Sequence, residues 1–226
     1  MSSSTLAAPQ LVINSRMIYS SWIPADPKAA AALLPARLKP ADNGAIYMNQ
    51  YVVDSEEQTS GFGAYSLTYM GLDLGGLTAP DGVTPARFFT NYFNSSRVMR
   101  DYVIERGVPA TEGRTTVEVN GHELEATTYV EGVAIIRTRA EVGKKIGVVA
   151  RGHLTYVTQL DGRIFAGNYA YIGELVDPFE LKSVEFLTKD HPAWALRPAQ
   201  PFQPVAASSW FAPRDSFVYP GGEREI

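Results

Sequence analysis

Three polar side chains, Tyr65, Asn91 and Tyr92, stand in segments whose residue pattern is typical of β-strands. From a strand face, a phenol or an amide can donate a hydrogen bond to an oxygen atom of a ligand. In an enclosed site such donors stabilise an enolate or orient a ketone. The alternative for the tyrosines is a place in the core, with the hydroxyl group bonded to a backbone acceptor. The three residues are therefore candidates for binding an oxo compound.

Few side chains are candidates for acid–base chemistry. Glu105 and Glu112 would serve as a general base if burial raised the pKa of either carboxyl group, and are otherwise solvated. His153 lies in an expected strand and would suit a proton shuttle if it pointed inward, with a place in the core as the alternative. His122 adjoins a turn, where exposure is expected, and His191 lies near the end of the chain.

The sequence has no cysteine, which excludes disulfides, thiolate metal sites and cysteine nucleophiles. Its three histidines match no metal-binding spacing. We therefore expect neither a metal nor any other cofactor.

The charge balance bears on possible partners. Twenty basic and 24 acidic residues give a net charge of −4, so no basic field exists for phosphates or anionic lipids. No apolar run approaches the roughly 20 residues of a membrane helix. The first ten residues lack the basic start and apolar core of a signal peptide. We expect a cytoplasmic protein whose partner is a small molecule, and neither nucleic acid nor membrane.

The 226 residues, 45% of them hydrophobic, are enough for one substantial domain. We expect a disordered tail at residues 1–10 and a single domain at 11–226. Patterns typical of strands occupy 11–22, 45–53, 63–74, 86–93 and 205–210. An antiparallel meander is expected over 115–176, with turns at 120–121, 131–132, 143–145 and 161–162. The fold class is therefore mainly β, a curved antiparallel sheet or barrel with a few short helices.

Three short helices complete the expected elements. Asp26 is a favourable N-cap with Pro27 at the first helical position, and Pro35 ends that helix. A second helix is predicted over 95–106, ahead of Gly107, and a third near 183–187. No long central helix is present, which argues against a thioesterase of the hot-dog type.

Several segments resemble, in the same order, the acetoacetate decarboxylase family. They are NSRMIYSSWIPADPKAAAALLPARL at 14–38, TSGFGAYSLTYMGLDL at 59–74, NYF at 91–93, GVPATEG at 107–113 and DHPAWALRPAQPFQPVAASSWF at 190–211. The resemblance extends from about residue 11 to residue 219. It implies a curved sheet or barrel around a small-molecule pocket, and a homo-oligomer.

The departures from that family concern its catalytic groups. In the family, one lysine of a Lys-Lys pair forms a Schiff base with a ketone, and the second lowers the pKa of the first. Ala110 and Thr111 occupy those two positions here, and neither can form an imine. Leu67 stands where the family has a glutamate. A Lys-Lys pair at 144–145 does not replace the motif, because that alignment would destroy the match of the last segment.

The resemblance assigns Arg16 to the pocket, where an arginine can hold a carboxylate or polarise a carbonyl. A surface ion pair is the alternative for this residue. Arg16 and Glu105 are thus the predicted catalytic residues. The residues predicted to bind substrate are Tyr65, Leu67, Asn91, Tyr92, Val108, Ala110 and Thr111.

Two functions remain open. The first is a Schiff-base-independent lyase that acts on an oxo-acid or polyketide-like substrate by decarboxylation, dehydration, isomerisation or cyclisation through an enolate. The second is a non-catalytic protein that binds a small molecule. A titratable group that faces the pocket favours the enzyme, whereas a wholly apolar lining favours binding alone.

Overall fold

The computed structural model describes residues 6–226, most of which form β-strands. In this part of the chain there are eleven strands: β1 (Gln10–Trp22), β2 (Ile46–Val53), β3 (Tyr65–Thr78), β4 (Pro85–Asn94), β5 (Ala110–Glu112), β6 (Arg114–Asn120), β7 (Glu123–Val130), β8 (Val133–Leu160), β9 (Arg163–Phe186), β10 (Trp210–Tyr219) and β11 (Arg224–Glu225). The expected fold class is confirmed.

Seven strands form a closed ring in the order β1, β2, β3, β4, β8, β9, β10, and β10 pairs back onto β1. Neighbours in this ring are antiparallel, except that β4 pairs with β8 in parallel. Closure satisfies the backbone groups that an open sheet edge would expose. Beyond the ring, β7 pairs with the first half of β8, and β6 pairs with β7.

Two α-helices are inserted between strands, one after β1 and one after β4. Asp26 caps α1 (Pro27–Ala31) by accepting hydrogen bonds from the backbone N–H groups of Lys28 and Ala29. Ser96 caps α2 (Arg97–Ile104). Both predicted helices are confirmed, although α1 ends before Pro35. The helix predicted near 183–187 is wrong, because those residues complete β9 or follow it directly, and a 3₁₀ helix lies further on at Pro192–Leu196.

Three of the four predicted turns occur. Gly121, Gly132 and Gly162 have φ angles of 67°, 78° and 77° at the hairpin ends. The turn predicted at 143–145 is wrong, since these residues lie inside β8, where its pairing with β9 is irregular between Val142 and Lys145. A side-chain atom on Gly143 would lie 2.2 Å from the Asp177 carbonyl oxygen, so glycine here permits close strand approach, not a turn. The strand predicted at 205–210 begins only at residue 210.

The interior of the barrel is aromatic. Nine buried tyrosines belong to its cluster and two more pack against it, which accounts for all of the chain's 12 tyrosines except Tyr129. A second cluster fills the space between the outer face and α1, and a third, which includes Ile18 and Val117, lies beneath β6 and β7. Burial of this apolar surface is the main stabilising contribution to the fold.

The structure does not describe residues 1–5, so that part of the predicted tail lies outside it. Gln10 opens β1, and Leu6 packs against the interior cluster. Within residues 6–226, no helix has the length and apolar character needed to cross a membrane.

A bulge in β4 sets which side chains of this strand face inward. Met70 pairs with Asn91 and Gly71 with Phe89, so Thr90 is an extra residue. Arg87, Phe89 and Tyr92 consequently all contribute to the interior. A Cβ atom on Gly71 would lie 1.7 Å from the Phe88 carbonyl oxygen, so glycine is required beside the bulge.

We predict that Gly71→Ala destabilises the protein by about 2–3 kcal/mol or more, because the added methyl group meets backbone that cannot move aside. Gly61→Ala is the control, since its nearest neighbour is the flexible end of the Leu6 side chain. Urea denaturation compares the two variants with the parent. Equal midpoints for all three proteins would show that the close approach at Gly71 is not constraining.

Candidate active site

A cavity of about 400 Å³ lies inside the barrel and opens to the surface. Its rim includes Val83 and Thr84, from the turn between β3 and β4, and Ala207 and Ser208, which precede β10. Eight of the nineteen lining residues are aromatic. The volume and the aromatic lining are those of a site for a small organic molecule.

A charged pair joins two neighbouring strands at this cavity. Asp73 on β3 is directly opposite Arg87 on β4, and Arg87 Nε donates a hydrogen bond to Asp73 Oδ1 over 3.3 Å. Both side chains are nearly buried, with 12% and 13% exposure for Arg87 and Asp73 respectively. Burial raises the pKa of the Asp73 carboxyl above its usual range, and the adjacent guanidinium offsets only part of this rise.

Aromatic rings hold the guanidinium in place. The Arg87 Cζ atom lies 4.7 Å from the ring centroid of Tyr19 and 5.1 Å from that of Tyr47. Tyr19 in turn stacks on Trp210, its cross-strand neighbour on β10, at 5.5 Å between centroids. Contacts of this kind between a cation and ring faces compensate part of the desolvation of the guanidinium.

A second carboxylic acid, Asp215 on β10, lines the same cavity. Ala212 pairs with Met17 and Asp215 with Ser15, so three steps along β10 match two along β1, which defines a bulge. The bulge keeps Asp215 on the inward face. Gly173 on β9 makes room for it, since a Cβ atom there would lie 2.3 Å from Asp215 Oδ1.

Asp215 is 2% exposed, and its Oδ1 atom has no hydrogen-bond partner among the described residues. Desolvation raises the pKa of this carboxyl group to about 8. A carboxylic acid that titrates near neutral pH can both give and take a proton during turnover. This property makes Asp215 the strongest acid–base candidate of the cavity.

Phenol groups connect the cavity to the filled part of the interior. The hydroxyl groups of Tyr69 and Tyr169 lie 3.2 Å apart, and those of Tyr92 and Tyr219 lie 3.4 Å apart. Burial raises the pKa of each of these phenols, so they are protonated at neutral pH. Protonated phenols can donate hydrogen bonds to a ligand at the end of the network.

Asn49 adds an amide to the lining. Its Nδ2 atom donates to the Tyr69 hydroxyl group, while its Oδ1 atom is buried without a partner among residues 6–226. A buried acceptor without a partner costs free energy that a ligand donor can recover. In the described part of the chain, no group of three or more histidine, aspartate or glutamate side chains is placed to hold a metal ion.

Solved structures with similar folds align with almost the entire chain. An acetoacetate decarboxylase-like enzyme from Sphingomonas wittichii matches 100% of this chain and 98% of its own at 14% identity, with a TM-score of 0.66. The acetoacetate decarboxylase from Legionella pneumophila matches 100% and 90% at 14% identity, with a TM-score of 0.64. No protein-family model matches the sequence, and no curated protein does so.

A third structure is MppR, an enduracididine biosynthesis enzyme complexed with the condensation product of pyruvate and imidazole 4-carboxaldehyde. It matches 99% of this chain and 91% of its own at 14% identity, with a TM-score of 0.63. The chain has the acetoacetate decarboxylase fold. The resemblance inferred from the sequence motifs is thereby confirmed for the fold.

Five of the predicted substrate-binding residues, Tyr65, Leu67, Tyr92, Val108 and Ala110, lie in or against the interior cluster, but none lines the cavity. The Tyr65 hydroxyl group hydrogen-bonds that of Tyr51 at 2.8 Å. Ala110, which the sequence resemblance aligns with the acetoacetate decarboxylase lysine, packs against this cluster. Phenols therefore fill the interior there, and the open volume lies elsewhere.

The remaining predicted residues lie away from the cavity. Asn91 lines a separate groove of about 240 Å³, and Thr111 is exposed at the edge of another. Glu105 is exposed at the end of α2, and His153 is exposed on β8.

Arg16 forms an ion pair on the outer side of the barrel wall. Its Nε and Nη2 atoms donate to the two carboxylate oxygens of Asp54, and Nη1 donates to the Val117 carbonyl oxygen. The hydrogen bond from Arg16 holds the pKa of Asp54 below its usual range. This arrangement leaves Arg16 outside the cavity that contains Arg87. A catalytic role for Arg16 stays a prediction.

The sequence patterns did not predict a role for Asp73, Arg87 or Asp215. The first two are charged residues among the aromatic and apolar inward residues of β3 and β4, which is a signal that alternation could have given. Asp215 offers no such signal, because the bulge in β10 breaks the alternation that would place it.

We predict that Asp215→Asn becomes more stable relative to the parent as pH rises from about 4 to 8. An unfolded aspartate has a pKa of about 3.9. In this range the folded parent binds a proton that its unfolded chain has lost, so the stability of the parent falls with rising pH. The relative gain of the amide variant is at most about 1.4 kcal/mol per pH unit. Denaturant unfolding at several pH values measures it.

Asp54→Asn is the matched control for this series. Because the pKa of Asp54 is lowered, the contribution of its carboxylate to stability is lost only in acid. Between pH 5 and 8 the free energy of unfolding of Asp54→Asn should therefore change with pH as that of the parent does. Parallel curves for Asp215→Asn and the parent would mean that the buried carboxyl group titrates normally.

Proposed function

We propose that this protein is a Schiff-base-independent enzyme that acts on a small oxo compound through an enolate. The class of reaction is that of a lyase or isomerase, namely decarboxylation, dehydration, isomerisation or cyclisation. One observation carries the proposal: a guanidinium and a carboxylic acid with a pKa of about 8 line the same cavity. A lining with a titratable group favours catalysis over binding alone.

Arg87 supplies the electrophilic group. The structure gives its Nη groups no partner among the described residues, so they can donate to a carbonyl oxygen of the substrate. Negative charge develops on that oxygen as the enolate forms, and a fixed guanidinium stabilises this charge more strongly than the neutral ketone. Asp73 positions the guanidinium by accepting a hydrogen bond from Arg87 Nε.

Asp215 supplies proton transfer. As a carboxylate it removes a proton from the carbon next to the carbonyl, the C–H electrons form the C=C bond, and charge moves to the oxygen at Arg87. As a carboxylic acid it returns the proton to another carbon, or to a leaving hydroxyl group that departs as water. At neutral pH the acid form prevails because the pKa of Asp215 is about 8.

The aromatic lining excludes water from these steps. Tyr69 and Tyr169 present protonated hydroxyl groups at the inner end of the cavity, where they can bind a second oxygen of the substrate. No lysine lines the cavity among residues 6–226, which supports a route without an imine. The complex of MppR with a condensation product of pyruvate supports oxo-compound chemistry on this fold.

We predict that the parent protein exchanges the α-protons of acetophenone in D₂O faster than buffer does, as followed by proton NMR. Asp215→Asn should lower this exchange by about 10²-fold or more, since it removes the base. Arg87→Met should lower it by a similar factor, because it removes the group that stabilises the oxyanion.

Arg16→Ala is the matched control, an arginine removed outside the cavity. If it abolishes exchange while Arg87→Met does not, the site belongs at Arg16 and Glu105 as the sequence predicted. Borohydride added with the ketone should leave the protein mass unchanged, whereas a lysine adduct would refute the imine-free route. Tight binding of acetophenone without any exchange would favour the non-catalytic binding protein.

We also propose a homo-oligomer in the cytoplasm. Four apolar side chains on the β8–β9 ribbon are 40–56% exposed: Ile146, Val148, Val149 and Ile172. Exposed apolar patches of this kind are common at contacts between subunits. Light scattering should give a mass above that of one chain, and Val148→Lys with Ile172→Lys should reduce it. A monomeric parent would refute the oligomer.

A further inference from the structure

The charge of the cavity lining bears on which substrate it accepts. Arg87 is the one cationic residue that lines it within residues 6–226, and Asp73 already pairs with it. Asp215 adds a second carboxyl group. The lining is therefore neutral when Asp215 is protonated and carries one negative charge when it is ionised. An anionic ligand would enter a desolvated site with no unpaired cation, which is costly.

The donors that remain suit an uncharged oxygen. The Nη groups of Arg87 can donate to a carbonyl group, and so can one phenol of the Tyr69–Tyr169 pair, since the other phenol donates within the pair. The buried Oδ1 atom of Asn49 and a protonated Asp215 complete the set with an acceptor and a further donor. Carbonyl and enol oxygens satisfy such groups without bringing a charge into the cavity.

The shape and size of the cavity point to a flat ligand. Tyr19 and Trp210 present a stacked pair with an interplanar angle of 16° at its wall. Rings of this kind bind planar π-systems by stacking or by edge-to-face contact. At about 30 Å³ per water-sized unit, 400 Å³ holds about a dozen non-hydrogen atoms.

From these observations we infer that the cavity takes an uncharged, flat, ring-bearing ketone or β-diketone in preference to a carboxylate anion. This inference rests on the proposed function and narrows its range. An uncharged ketone carries no carboxylate to lose as CO₂, so decarboxylation is excluded from the range of proposed reactions. Dehydration, isomerisation and cyclisation through an enolate remain.

Benzoylacetone and benzoylacetate test the inference, because they differ only by a methyl group in place of a carboxylate oxygen. Calorimetric titration at pH 6 keeps the diketone uncharged and Asp215 protonated. The parent protein should bind benzoylacetone at least tenfold more tightly than benzoylacetate. Equal affinities, a preference for benzoylacetate or failure of both to bind would overturn the inference.

Asp73→Asn shows whether the charge balance is the cause of the preference. Removal of this carboxylate leaves Arg87 without its partner, so the preference should shift towards benzoylacetate by tenfold or more. Arg163→Ala, which removes an exposed arginine paired with Glu225 outside the cavity, should leave both affinities unchanged. Because the comparison in the parent protein decides the inference, a variant that fails to fold does not affect it.

The α-proton exchange assay separates this inference from the proposed function. A preference for benzoylacetone without any exchange would retain the ligand class and refute the enzyme. Exchange together with a preference for benzoylacetate would refute the ligand class and retain the enzyme.

Discussion

Hydrogen bonds between buried phenol groups organise the interior of the barrel. Tyr51 pairs with Tyr65, Tyr69 with Tyr169, and Tyr92 with Tyr219, so the rings fill the middle of the barrel while their hydroxyl groups satisfy one another. A phenol left without a partner in such surroundings would be costly. The filled middle confines the open volume to the part of the interior that contains Arg87 and Asp215.

This filling also separates the protein from the chemistry that its fold suggests. In the resemblance to acetoacetate decarboxylases, Ala110 takes the place of the Schiff-base lysine, and here it packs against the interior cluster and does not line the cavity. Other strand residues of the same barrel supply the polar groups of the cavity. Proteins that share a fold can therefore have their sites at different positions.

Local patterns in the sequence predicted the elements well. The Asp26 cap, the glycine-containing turns and most strands follow from short-range rules, and the motif order indicated the fold. The site was harder to predict, because its lining comes from residues between 17 and 219 and bulges in β4 and β10 decide which side chains face inward. Arg16 matched the family pattern, but its guanidinium binds Asp54, a tertiary contact that a motif does not reveal.

The bulge in β10 selects the sign of the charge that enters the cavity. Counted from Ala212 in strict alternation, Arg214 would face inward and Asp215 outward. The extra residue reverses this, and Arg214 instead pairs with Glu174 at the surface. A slip of one residue exchanges the two faces of a strand. Without the bulge, Arg214 would take the place of Asp215 in the lining, and Phe217 and Tyr219, which now line the cavity, would turn outward.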